Sequence, residues 1–191
     1  MFLIQGVKQS KKRVNKVNVD MLQDLHLDVL SMDVVTDLSL RLVEEFIGSY
    51  LPDDYKEFLK KNNGGQYLSG KDEKQAIRWF DLPEHNTIKE PGIKICLQGF
   101  FDLRWAVNLR KLDYCYRNIN VIHLFPIAYD DPNHIYLDLS DEHYGKVRYL
   151  DLYYMNKLAS GAELPITQII APSFTDFVNR LRPGKEGDRE R

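Results

Sequence analysis

Residues Leu51 to Gly65, LPDDYKEFLKKNNGG, constrain the fold more than any other stretch, because they specify one short helix and both of its ends. Pro52 suits the first helical position, where a missing N–H loses no hydrogen bond. Asp53 and Asp54 set negative charge against the positive end of the helix dipole, and Lys60 and Lys61 complement its last turn. Asn62-Asn63-Gly64-Gly65 provides residues that adopt the left-handed conformation closing a helix. Tyr55, Phe58 and Leu59 share one face at i, i+3, i+4, so this helix must dock on a core. Nothing in it points to catalysis.

A chain of 191 residues is long enough for one well-buried domain and short for two. Hydrophobic residues at 43% and charged residues at 28% exclude a disordered chain, and a net charge of −2 exerts no global pull on nucleic acid. No apolar run approaches the ~20 residues of a membrane span. Met1-Phe2-Leu3-Ile4 precedes the basic cluster and is too short for a secretory core. Cys96 and Cys115 fit two reduced thiols, with one disulfide left open. The expected location is cytoplasmic.

Charge divides the chain into an arm, a domain and a tail. Residues 1–18 hold Lys8, Lys11, Lys12, Arg13 and Lys16 without one acid, and read as a solvated basic arm. No aromatics interleave there to stack on bases, so direct nucleic-acid binding is not expected. Residues 19–183 read as the domain and 184–191 as a charged, flexible tail.

Within the domain, Leu40, Leu42, Val43, Phe46 and Ile47 give an amphipathic helix from Ser39, stopped by Gly48. Ile77–Leu82 and Ile93–Leu97 read as strands, and Phe101, Trp105, Leu109 and Leu112 as a helix, with Trp79 and Trp105 in the core or at its edge. Val121–Phe125, Ile135–Leu139 and Lys146–Leu152 are further strands, the last two an antiparallel pair across Ser140–Gly145. A last helix starts at Ser173, with Asp176 at the capping-box spacing and Phe174, Phe177, Val178 and Leu181 as its buried stripe. This order predicts an α+β fold: an antiparallel, or mixed, sheet of about five or six strands with helices packed on it.

The chain carries no HExxH, CxxC, GxSxG or phosphate-cradling glycine motif, and no EF-hand spacing. His134 and His143 could approach across the central hairpin, but solvent-facing hairpin residues are the preferred reading. No catalysis, cofactor or metal is expected.

One stretch stands out. Between Asn118 and Gly145 there is no Lys or Arg, while acids and tyrosines accumulate. Tyr129, Asp130, Asp131, Tyr136, Asp138, Asp141 and Glu142, with Tyr144, are expected at one end of the sheet. Aromatics there supply contact area and carboxylates steer a basic partner.

The helix at Leu51–Gly65 resembles the signature helix of the SUKH superfamily, the Smi/Knr-like proteins. The resemblance rests on Leu51-Pro52, Asp54-Tyr55, Phe58-Leu59 and Asn63-Gly64-Gly65. Phe125-Pro126-Ile127-Ala128 followed by Ile135-Tyr136-Leu137-Asp138 and Gly145-Lys146-Val147, then Ala171-Pro172-Ser173-Phe174 with Phe177 and Leu181, follow in the family's order. The resemblance spans Leu38 to Leu181 and implies a SUKH-like fold. It makes Leu51, Pro52, Tyr55, Phe58, Leu59, Gly64 and Gly65 structural. It also implies a non-catalytic binding protein: a bacterial immunity protein that neutralises a cognate polymorphic or contact-dependent toxin with a basic, nuclease-like domain. The alternative is an intracellular regulatory scaffold like the fungal cell-wall signalling members.

Overall fold

The computed structural model describes residues 27–28, 33–67, 78–81, 94–116, 123–131, 133–150 and 167–183. The basic arm, the tail, the loop from 84 to 92, Val121 and Ile122 lie outside the described residues.

Two helices lead. Helix α1 (Asp37–Ile47) starts two residues before Ser39, because Thr36 is its cap. The Thr36 hydroxyl accepts the Ser39 N–H (3.1 Å) and the Ser39 hydroxyl accepts the Thr36 N–H (2.9 Å), a capping box with Ser in the Glu position. Gly48 closes the helix at φ 71°. Helix α2 (Asp53–Asn62) takes Pro52 as its N-cap, one position outside the one expected. Tyr55, Phe58 and Leu59 are buried as their spacing requires, and Asn63 closes α2 at φ 38°. Glu44 ties the two helices together: its carboxylate accepts the Leu51 N–H (2.9 Å) and pairs with Lys56 (3.4 Å).

The α+β architecture and the antiparallel sheet follow the sequence reading. Strands β1 (Leu27–Asp28), β2 (Gly65–Tyr67), β5 (Gly99–Phe100), β6 (Leu124–Asp130), β7 (Asn133–Asp138), β8 (Val147–Leu150) and β9 (Thr167–Ala171) form one sheet in the order β1-β2-β5-β6-β7-β8-β9. All its pairings are antiparallel, and the two-residue β1 brings the described strands to seven. A second sheet holds β10 (Arg182–Pro183), β3 (Arg78–Asp81) and β4 (Lys94–Leu97). Only Gln98 separates β4 from β5, so one extended segment passes from the small sheet into the large one.

Pro126 explains an irregularity in β6. A proline has no N–H for the ladder, and the register shifts between Pro126 and Ala128. The Ile127 carbonyl released there accepts the Phe101 N–H (2.9 Å), which fixes the entry to helix α3 (Leu103–Tyr116).

Helices α2 and α4 (Phe174–Asn179) cover the sheet through one cluster of rings. Phe58 lies 4.9 Å from Phe100 and 5.1 Å from Phe174, and Tyr55 lies 5.0 Å from Phe174 (ring centroids). Phe80 joins the small sheet to this cluster through Phe177 at 5.2 Å. Capping between distant helices reinforces the packing: the Thr175 N–H and hydroxyl both donate to Asp54 at 2.9 Å, so the first turn of α2 helps cap α4. Phe58→Ala is expected to destabilise the fold by about 3–5 kcal/mol, read from denaturant midpoints. A variant that melts within a degree or two of wild type would contradict this packing.

Candidate functional site

A cleft of about 500 Å³ opens where the end of α2, the start of α3 and the β6–β7 turn converge. Phe100 and Phe101 line its interior with Gly65, while Gln66, Gln98, Trp105 and Leu109 line its sides. Tyr129 stacks on Phe101 at 5.1 Å, and the His134 ring meets Phe101 edge-on at 5.5 Å. Asp102 and Asp131 supply two carboxylates, and among the described residues no Lys or Arg lines the cleft. Burial pushes the Tyr129 hydroxyl above its usual range, and its hydrogen bond with Gln66 acts against that rise. Gly99 makes the close approach possible, since a Cβ there would lie 2.6 Å from the Gly65 carbonyl oxygen and 2.8 Å from the Tyr129 hydroxyl.

The acidic wall is set by helix capping. Asp102 accepts the Trp105 N–H at 2.7 Å, which caps α3 and leaves Trp105 54% exposed beside the cleft. Of the two places expected for Trp105, the core or its edge, the core is ruled out. Trp79 is buried, as expected. Aromatic faces beside carboxylates form the kind of surface that attracts positive charge.

The acids and tyrosines read from the sequence do not gather at one end. Successive turns of a meander lie at opposite ends of the strand between them, here six residues long. Tyr129, Asp130 and Asp131 sit at the β6–β7 turn by the cleft, and Asp141, Glu142 and Tyr144 at the β7–β8 turn. His134 and His143 are likewise placed at opposite ends of β7. Tyr136 and Asp138 do share the face opposite Ile135 and Leu137, but β7 is an interior strand covered on both faces. Tyr136 is 1% exposed, with its hydroxyl 3.3 Å from His134 Nδ1, so it cannot be an exposed anchor.

Asp138 is internal structure rather than surface charge. It accepts the Ser140 N–H (2.9 Å) and hydroxyl (2.6 Å), and pairs with Arg148. Among the described residues, no cluster of three or more His, Cys, Asp or Glu could hold a metal ion, and no helix is long and apolar enough to cross a membrane.

The family model described as SMI1 / KNR4 family (SUKH-1) matches residues 35–180. The chain belongs to this family. A comparison with curated proteins finds no significant match.

The SUKH-1 signature residues explain themselves in the fold. Leu51, Pro52, Tyr55, Phe58 and Leu59 are buried. Asn63 accepts the Leu103 N–H at Oδ1 (3.0 Å) and donates from Nδ2 to the Asp33 carbonyl (2.9 Å), joining the end of α2 to the start of α3. Gly64, at φ 81°, lies so close to this junction that a Cβ would sit 2.5 Å from the Asp102 nitrogen. Asn63, Gln66, Gln98 and Asp102 were not singled out as site residues from the sequence. An Asp three residues before Trp105 was the available signal, an N-cap spacing.

Asp138 also sets a pH dependence. Burial pushes its carboxyl up, but the Ser140 and Arg148 hydrogen bonds outweigh burial and hold it below the ordinary 3.8. Its contribution to stability is therefore present above that ordinary value and is lost as pH falls through the lower folded one. Asp138→Asn is expected to be less stable at neutral pH, with a shallower loss of stability below about pH 4 in acid titrations followed by circular dichroism. An acid limb unchanged from wild type counts against this linkage.

Proposed function

We propose that this protein is a non-catalytic binding protein of the immunity type, which neutralises a cognate toxin by occluding its working surface. The observation that carries this reading is the cleft, in which Trp105, Phe101 and Tyr129 meet Asp102 and Asp131 with no Lys or Arg among the described lining residues. Membership of SUKH-1, a family that includes immunity proteins, supports it. The partner is a basic, nuclease-like toxin domain that inserts an Arg or Lys between the Trp105 indole and the carboxylates. Rim carboxylates accelerate encounter, while an exposed tryptophan beside a pocket slows release. The protein acts in the cytoplasm of the producing cell, where the toxin must be held in check.

The test is co-expression with the toxin encoded beside its gene, followed by binding kinetics with purified proteins. Asp131→Lys is expected to slow association several-fold and to lessen the salt sensitivity of binding. Trp105→Ala is expected to raise the dissociation rate by at least ~30-fold, the effect of losing an interface anchor worth about 2 kcal/mol. Asp141→Lys with Glu142→Lys, at the far end of β7, is expected to leave both rates near wild type. Folded Asp131→Lys and Trp105→Ala proteins that still protect fully with unchanged kinetics would remove the cleft from the contact. A neighbouring gene that encodes no toxin would favour the regulatory-scaffold alternative.

A further inference from the structure

Helix α1 is apolar on two sides. Its inner face places Leu40 in the core and packs Val43 and Ile47 against it. Its outer face carries Leu38, Leu42 and Phe46, exposed by 64%, 57% and 54%, and the chain on either side of the helix exposes Val34 and Tyr50. These five side chains recur every fourth residue and account for most of the large exposed hydrophobic residues among the described ones, the others being Trp105 and Tyr144. Leu42 and Phe46 were expected to help form a single amphipathic face. The structure turns them outward.

We propose that this face is the contact through which two copies of the chain associate. The inference is independent of the immunity reading. Three observations favour a second copy over other occupants. First, side chains at i, i+4, i+8 form one continuous ridge, and two such ridges pack into one another's grooves at a crossing angle of about 50°. Second, the face is self-complementary in charge. Arg41 and Glu45 are both exposed along the same flank of the ridge, and a twofold axis at the level of Val43, midway between them, brings Arg41 of each copy against Glu45 of the other. A twofold contact pairs each patch with itself, so one i, i+4 pair of opposite charges provides two cross-pairs. Third, the outer face of α1 concentrates exposed large hydrophobic side chains within one helix, which suits the apolar centre of a contact between copies. On the other flank, Lys111 of α3 lies 5.0 Å over the Phe46 ring and marks the edge of the apolar row.

Sedimentation velocity on the full chain over a concentration series is the test. The expected result is a reversible, concentration-dependent species of twice the 22.4 kDa of one chain. Leu42→Glu, at an outward position, is expected to abolish it while leaving the melting temperature near wild type. Arg41→Glu alone is expected to weaken association at least several-fold, and Arg41→Glu with Glu45→Arg to restore it, because the swap re-forms the cross-pairs. A wild-type protein monomeric at every concentration overturns the proposal, as does a dimer indifferent to Leu42→Glu. Failure of the charge swap to restore association overturns the twofold pairing of Arg41 with Glu45.

Discussion

The buried side chain of Asn63 is the joint on which the arrangement of this protein turns. It stands in the left-handed conformation that ends α2, and both sides of its amide are engaged, one by the first turn of α3 and the other by the chain before α1. A buried amide with both partners in place fixes direction as well as distance, because losing either bond strands a polar group away from water. Gly64 then allows backbone to meet backbone where any side chain would intervene. The position of α3 follows from this step, and with it Asp102 and Trp105 beside the cleft. An Asn-Gly pair with no chemistry of its own therefore shapes the cleft.

Legibility in the sequence tracked how local the determining physics was. The ends of α2, the Ser173 cap and the buried faces of α2 and α4 depend on neighbours within one turn, and all were readable. Alternation along β7 was also read correctly, since Tyr136 and Asp138 do oppose Ile135 and Leu137. Alternation says nothing about whether the second face is covered, and an interior strand buries both. The separation of Asp131 from Asp141 was within reach of the sequence, because a hairpin reverses direction at every turn. Treating one acidic stretch as one surface overlooked that reversal.

Helix α1 shows a different limit. Periodicity reports that apolar residues share an arc, and the eleven residues of α1 hold two such arcs. Leu40, Val43 and Ile47 were distinguishable from Leu38, Leu42 and Phe46 only by what lies beside them, namely α2 on one flank and Lys111 of α3 on the other. The exposed Trp105 is similar. Its spacing from Leu109 is helical, but exposure depends on how far Asp102 winds the first turn, which is settled by contacts from Asn63 and Ile127 far away in sequence.

The bond from Asp54 to Thr175 closes a loop of 121 positions, and it concerns time more than strength. Helix α2 is made before α4, with Tyr55 and Phe58 uncovered until the rings of Phe174 and Phe177 complete the cluster. Contacts so distant along the chain make the search for the native state slow, and they tie α2 and α4 into one cooperative step. During synthesis the early helices hold an open apolar surface for as long as the intervening strands take to appear. A core built this way closes only once α4 has been made, so a half-length chain would carry the early helices without the rings that cover them.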